Sequence, residues 1–427
     1  MTSPGRFAGA LPDSDAGTIG TPVVDRPAVD RTEVPVRRPV RAPLPGSRPG
    51  GAGGRRAASR ERFRRRRFAL LAAMVAVGAV VNAAGLGPPV VSRGIDRLRS
   101  PGGAPSSAPA PSTVLLAVTD TSGGAMLALF GKGRPDAGSV LLIPGSTQVE
   151  VPSLGSLTLA RTLDAAGAGG LGQAVENALG VGVGAVVVAD AEGLRSMMAP
   201  AGPFEVRLRA PADLVEGTLA SGVHRVTSGR AADLVLADGP SDLDDLVAAH
   251  AVLEGWFAAL ARGGIGVVAD TMAERAGADV EAVRSALESV VRRARFDVLD
   301  VVPVGVGGDE RYGVADTNDV ASLYPVQAFT AGPRPRVEIR NGLGTPGLAG
   351  AVAAQIVPKG FEVVLTGNAA SFGVAKTLIV VQDAAFVDDG ERLREALAVG
   401  ELRMARDPVS VVDLTIVVGS DFHPGGE

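Results

Sequence analysis

Carboxylates at two places in this chain have the types and spacing to do chemistry. Asp120 follows the apolar run Val114 to Val118, while Asp244 and Asp245 stand near the start of a helix-like stretch that opens at Asp242. Acids gathered from a strand end and a helix start can hold Mg²⁺, and an ionised one can serve as a general base. The same acids have an ordinary explanation. Asp242, Asp244 and Asp245 would favour the positive end of a helix, and Asp120 would suit the polar turn after a strand. His250, further along that stretch, is either a general base or part of a helix face. The three histidines (His224, His250 and His423) are far apart and show no metal-ligand spacing. With no cysteine in the chain, disulfides, thiolate metal sites and cysteine nucleophiles are excluded.

A second candidate is the turn Gly342-Leu343-Gly344-Thr345-Pro346-Gly347, between a strand-like and a helix-like stretch. It matches Gly-x-Gly-x-x-Gly, which seats a pyrophosphate on a helix N-terminus. Asn341, Gly342, Gly344 and Gly347 would be its ligand-binding residues. Against it, the next strand ends in Thr366-Gly367-Asn368 with no acid for a ribose. The segment is also too short for a doubly wound nucleotide-binding domain. Thr345 as N-cap, Pro346 at the first helical position and glycines for the turn explain the motif structurally.

The elements that would position these residues read as α/β. Val114–Val118, Val140–Ile143 and Ala185–Ala189 are short apolar runs suited to strands buried on both faces. Phe204 to Leu208 alternates as a half-buried strand does. Helices are expected over 171–179, over 242–262 and through the amphipathic set Val280, Val283, Leu287, Val290 and Val291, with Asp270 capping a short one. Strands interleaved with helices imply a sheet covered on both faces. Pro333-Arg334-Pro335 is expected to be a hinge before a small domain of order βαββαβ. Its strands lie at 336–340, 361–365, 377–381 and 413–419, and its helices at 347–357 and 389–399.

Upstream, eight arginines (Arg55, Arg56, Arg60, Arg62 and Arg64 to Arg67) run into Phe68–Leu86, which has no ionisable group. About 20 apolar residues cover the roughly 30 Å of bilayer hydrocarbon. The arginines before the span place the N-terminus in the cytoplasm and the rest outside. A cleaved signal peptide would begin near residue 1, and a core helix is rarely flanked by an arginine tetrad. The chain holds 39 Arg and 3 Lys, with a net charge of −4. Its dense basic block abuts the membrane, so that charge speaks for anionic lipid headgroups and against nucleic acid.

The expected organisation is a disordered basic tail over 1–67, a transmembrane helix over 68–90 and a Pro/Ser/Gly-rich linker over 91–112. An α/β domain over 113–331, the small domain over 332–422 and a tail over 423–427 follow.

Several stretches resemble the LytR-CpsA-Psr (LCP) family. Leu115-Leu116-Ala117-Val118-Thr119-Asp120 is similar to the opening strand of LCP domains, and Ile143-Pro144-Gly145-Ser146-Thr147 to their Ile-Pro-Arg-Asp-Thr. Leu159-Ala160, Gly169-Gly170 and Val175 to Gly180 follow the family's next series. Val302-Pro303, Tyr312 and Asp316 follow its end. Val337 to Gly342, Gly347-Leu348-Ala349, Gly360 to Val363, Thr377-Leu378-Ile379 and Asp413 to Asp421 resemble the LytR C-terminal domain. The resemblance implies transfer of a glycopolymer from a polyprenyl-pyrophosphate carrier to peptidoglycan outside the membrane. It also implies arginines on the phosphates. Here the sequence departs. Gly145 stands for the Arg and Ser146 for the Asp, no Arg lies between Asp244 and His250, and Ser122–Met126 replaces Arg-Ser-Asp-Thr. Arg161, Arg195, Arg207 and Arg209 remain as displaced sources of charge.

The expectation is a plasma-membrane protein with exterior domains that binds wall polymer, polyprenyl-phosphate lipid or envelope proteins without catalysis and without a cofactor. The alternative is an active LCP phosphotransferase using substitute residues and Mg²⁺. A third reading makes the exterior domains a scaffold for envelope complexes.

Overall fold

Strand β1 (Thr113–Thr119) is apolar along almost its whole length because both of its faces are covered. In the same sheet β2 (Ala125–Lys132) is buried along most of its length and β3 (Gly138–Pro144) along all of it. The computed structural model describes residues 112–120, 124–134, 137–214, 216–237, 241–305 and 311–424, all in one compact unit. The expected tail, transmembrane helix and nearly all of the linker lie outside them. Among the described residues no helix is long and apolar enough to cross a membrane.

A hairpin of β4 (Gln148–Val151) and β5 (Gly155–Thr158) leads into helix α1 (Leu159–Leu179). Only the second half of α1 was expected. Gly167 sits in it at φ 67°, a kink in a glycine-rich first half that weakens the helical signal. After β6 (Ala185–Ala189) come α2 (Ala191–Met198), β7 (Phe204–Leu208), β8 (Ala212–Leu214), β9 (Gly217–Leu219) and β10 (Gly222–Val226). Four helices follow, α3 (Ser228–Val235), α4 (Asp242–Leu260), α5 (Ile265–Ala276) and α6 (Val280–Arg292). Asp270, expected to cap a helix, lies inside α5, whose N-cap is Gly264. Then β11 (Ala294–Val298), β12 (Val301–Pro303), β13 (Tyr312–Val314) and α7 (Asn318–Leu323) complete the first part.

The main sheet runs β11-β3-β2-β1-β6, with β2 antiparallel to both neighbours and the outer pairs parallel. One face packs on α2 to α6, including the fully buried Trp256 and Phe257. The other packs on α1 and on Tyr324. The Tyr324 hydroxyl donates to Leu129 O at 2.6 Å, and burial pushes its pKa well above the usual phenol value.

The last segment contains β14 (Arg336–Asn341), α8 (Leu348–Ile356), β15 (Glu362–Asn368), β16 (Leu378–Val381), α9 (Val387–Leu397), β17 (Glu401–Met404) and β18 (Leu414–Val418). Its sheet runs β15-β14-β18-β16-β17. The expected βαββαβ gains one strand, β17, a short and largely exposed edge that lacks an apolar signature.

This second sheet is fastened to the first part through its edge strand β15. The Asn177 side chain accepts from Val363 N and donates to Val363 O, both at 2.8 Å, as a neighbouring strand would. Glu150 Oε1 accepts from Thr366 N at 3.0 Å and from Thr366 Oγ1 at 2.8 Å. Ser153, at φ 74°, accepts from Gly350 N at 3.0 Å in the first turn of α8. The segment expected to hinge is clamped. Arg334 is 9% exposed and donates to the carbonyls of Asn177 and Ala178 at the end of α1.

Candidate functional site

The site suggested by the sequence is the loop after β3, where a parallel-flanked strand delivers Gly145, Ser146 and Thr147 beside the start of α4. Ser146 N donates to Asp242 Oδ2 at 2.8 Å, so the helix start and the loop are brought together. Three further backbone bonds close the loop: Leu159 N to Thr147 O at 2.9 Å, Ala160 N to Gly145 O at 3.0 Å, and Tyr312 N to Ser146 O at 3.3 Å. Gly145 is buried, and a Cβ built on it would lie 2.2 Å from Ala125 O. Real carbon–oxygen contacts are never that short, so this position admits no side chain unless the β2 backbone moves.

The acids take part in local structure. Ser241 caps α4, and its hydroxyl lies 2.6 Å from Asp244 Oδ2. Asp242, Asp244 and Asp245 fill the first turn, where the helix dipole favours them. Asp120 Oδ1 accepts from Gly124 N at 2.8 Å, closing the turn between β1 and β2. Asp120, Asp242 and Asp245 each have further partners. Among the described residues no three His, Asp or Glu side chains gather as a metal-holding group.

Leu246 and Ala249, the α4 positions nearest the expected arginines, are 2% and 0% exposed within the core. His250 stacks on Phe296 with ring centroids 4.9 Å apart. Burial lowers its pKa, and nearby Arg209 adds to that while Glu254 and Asp297 oppose it. Arg195 pairs with Glu192 on its own helix at 2.7 Å. Arg161, Arg207 and Arg209 are exposed.

One feature of the loop carried no sequence signal. Ser146 Oγ, Thr147 Oγ1 and Gln148 Oε1 are buried on three successive residues without a hydrogen-bond partner. Buried polar atoms are rarely left so. Their spacing in sequence is unremarkable; only the closing of the loop buries them.

The glycine turn of the second sheet is built for structure. Asn341 Oδ1 accepts from Leu343 N at 3.0 Å and Gly344 N at 2.8 Å, while Asn341 Nδ2 donates to Thr345 O at 2.8 Å. A Cβ on Gly342 would meet Val418 O at 2.4 Å. Gly344 and Gly347 have φ of 75° and 79°, which favours glycine. The N-cap of α8 is Gly347, not Thr345 as expected, and it lacks a side-chain cap.

Residues 334–422 match the family described as LytR cell envelope-related transcriptional attenuator. The match begins at the clamping Arg334 and covers both helices and all five strands of the second sheet. No curated protein matches the chain. Solved structures similar to it include a LytR-Csp2A-Psr enzyme from Actinomyces oris, 18% identical over 50% of this chain and 92% of that one, with a TM-score of 0.40. B. subtilis TagV is 12% identical over 49% of this chain and 93% of its own, at a TM-score of 0.41. B. subtilis TagT is 14% identical over 56% and 100%, also at 0.41.

Proposed function

We propose that the chain is a single-pass plasma-membrane protein of the cell envelope, its N-terminus cytoplasmic and its folded part outside. In this reading it binds a wall glycopolymer, free or lipid-linked, and does not transfer it. The observation that carries the non-catalytic reading is the closed loop at Gly145. Phosphoryl-group transfer from a pyrophosphate needs fixed positive charge where negative charge builds up. The position where an arginine would stand has no room for a side chain, and Leu246 and Ala249 on α4 are core residues. The C-terminal match supports the envelope setting.

The test uses the full chain in detergent with a polyprenyl-pyrophosphoryl glycan, Mg²⁺ and a peptidoglycan acceptor. Glycan binding without transfer product above a no-protein control is the expected result. Product would establish the phosphotransferase alternative. The first ligand to try is LIIa-WTA, the compound named in a solved structure described as TagT bound to LIIa-WTA. Absence of binding to any wall polymer would leave the scaffold reading.

A further inference from the structure

Strand β11 closes one side of the main sheet, and among the described residues no strand pairs with its far edge. Arg293 O accepts from Gly138 N, and Leu299 N donates to Leu142 O, so the odd-numbered residues turn their backbone groups toward β3. By the alternation of a parallel ladder, Ala294, Phe296 and Val298 turn theirs outward. An open edge of this kind is a template for another strand.

The side chains of β11 are self-complementary when read against a reversed copy. Arg295 and Asp297 stand on one face, 54% and 28% exposed, with Arg295 Nε 2.8 Å from Asp297 Oδ2. In an antiparallel pair centred on Phe296, each Arg295 stands opposite the second copy's Asp297. The two Phe296 residues then form the hydrogen-bonded pair, because both turn their N–H and C=O outward. Beside this edge, among the described residues, lie partly exposed apolar side chains: Val298, Val247 and Leu243 are 44%, 41% and 36% exposed. Val247 and Leu243 lie one turn apart on α4, and His250, a turn further on, stacks on Phe296.

We propose that β11 pairs antiparallel with β11 of a second copy of this chain, joining the two five-stranded sheets into one and covering the apolar side chains on α4. The dimer satisfies the outward backbone groups of both edges and exchanges the two intrastrand Arg295–Asp297 contacts for two cross-strand ones. Five residues of strand and three apolar side chains make a small interface, so the dimer is a weak one. This inference is independent of the ligand reading above.

The test is sedimentation of the full chain in detergent, together with cysteine cross-linking. The wild type sediments as a dimer at micromolar concentration. Arg295→Asp places like charges opposite each other in both symmetry-related pairs and weakens the dimer about tenfold or more. Arg295→Asp with Asp297→Arg restores it, which also shows that the single variant had not failed merely by misfolding. The chain has no native cysteine, so cross-linking reads the register directly. A mixture of Arg295→Cys and Asp297→Cys chains forms a disulfide-linked dimer on mild oxidation, and neither variant alone does, because residues paired across the edge fall within disulfide reach. A monomeric wild type, a dimer indifferent to Arg295→Asp, or equal cross-linking by a single variant would overturn the proposal.

Discussion

Arg334 Nη1 donates to the carbonyl oxygen of Asn177 at 2.6 Å, while the side chain of that same Asn177 pairs with both backbone groups of Val363. One residue at the end of α1 therefore holds the start of the second sheet on one side and its edge strand on the other. Arg334 Nη2 adds a bond to Ala178 O at 3.1 Å, and Glu362 Oε2 lies 3.6 Å away. Burial lowers the Arg334 pKa and Glu362 opposes that shift. The guanidinium thus acts as a charged cap on carbonyls that the helix itself leaves unpaired.

Replacing Arg334 with Met should therefore destabilise the folded part by about 3 kcal/mol, because two buried carbonyls lose their donor and Glu362 loses a nearby cation. Arg334→Lys should recover only part of it, since an ammonium has no planar fork to span Asn177 and Ala178. Urea denaturation of the purified variants measures both. A loss under about 1 kcal/mol for the Met variant would mean that water replaces the guanidinium.

Asn177→Asp should be worse than Asn177→Ala. The carboxylate keeps the acceptor for Val363 N but turns an acceptor toward Val363 O, so like partial charges meet at a buried strand edge. Expected costs are about 2 kcal/mol for Ala and more for Asp. Amide hydrogen exchange at Val363 and its neighbours on β15 should quicken in both, while exchange on β1 and β2 stays slow. Uniform quickening across both sheets would mean that the contact governs global stability and not local docking.

Glu150 gives the fold a pH dependence. Its carboxyl is pushed up to about 7, chiefly by burial, although the bonds from Thr366 pull the other way. The unfolded chain ionises near the ordinary value of 4.5. Between the two values the folded state holds a proton that the unfolded state has released, so stability falls as pH rises through this window. The penalty is absent below the unfolded value and complete above the folded one, at about 3 kcal/mol. Glu150→Gln should flatten this slope and be the more stable form at pH 8 (about 1 unit above the folded value). Melting temperatures across pH 5 to 8 decide it, and an unchanged slope in the Gln variant would assign the dependence to another group.

The sequence made the apolar layer legible and the fastening illegible, for physical reasons. Val114–Val118, Val140–Ile143 and Ala185–Ala189 announce themselves because a strand covered on both faces has nothing polar to place. The antiparallel strand β2 between them is buried along most of its length, but Ala-Met-Leu-Ala-Leu-Phe suits a buried helix equally well, and the strand was missed. The acids at the start of α4 were correctly open to a capping explanation, since type and position suffice for that. The closure over Gly145 depends on Ala125 O, a backbone atom 20 residues away in sequence. The fastening rests on single side chains such as Asn177, Ser153 and Glu150, whose partners lie in another sheet. A lone asparagine in a helix has no local pattern that names a strand edge as its partner.

Topology provides a prediction outside the described residues. A reporter active only outside the cytoplasm should be active when fused after Glu427 and inactive when fused before Met1. Replacing Arg62 and Arg64 to Arg67 with Glu should weaken or invert the orientation, because it rests on that charge asymmetry. Unchanged orientation would show that the long folded part decides the matter.

Gly145 is the most direct place to challenge the non-catalytic reading. A methyl group there would lie 2.2 Å from Ala125 O and 3.2 Å from Ala125 C, so Gly145→Ala must displace the backbone of β2, a largely buried strand. Overpacking of that kind should cost about 2 kcal/mol or more. Gly145→Arg should cost at least as much and gain no affinity for a polyprenyl pyrophosphate, because the loop bonds from Asp242, Leu159 and Ala160 would have to break before the guanidinium could reach a ligand. Adding Leu246→Arg and Ala249→Arg would bury unpaired charge in the core and prevent folding, so a charge-restoring triple variant is not a route to activity. Denaturation of Gly145→Ala and calorimetric titration of Gly145→Arg, each beside the wild type, measure the two claims. If Gly145→Arg folds with wild-type stability and binds the pyrophosphate lipid at least about tenfold more tightly in a Mg²⁺-dependent way, the loop opens readily. The closure at Ala125 O would then say nothing about catalysis.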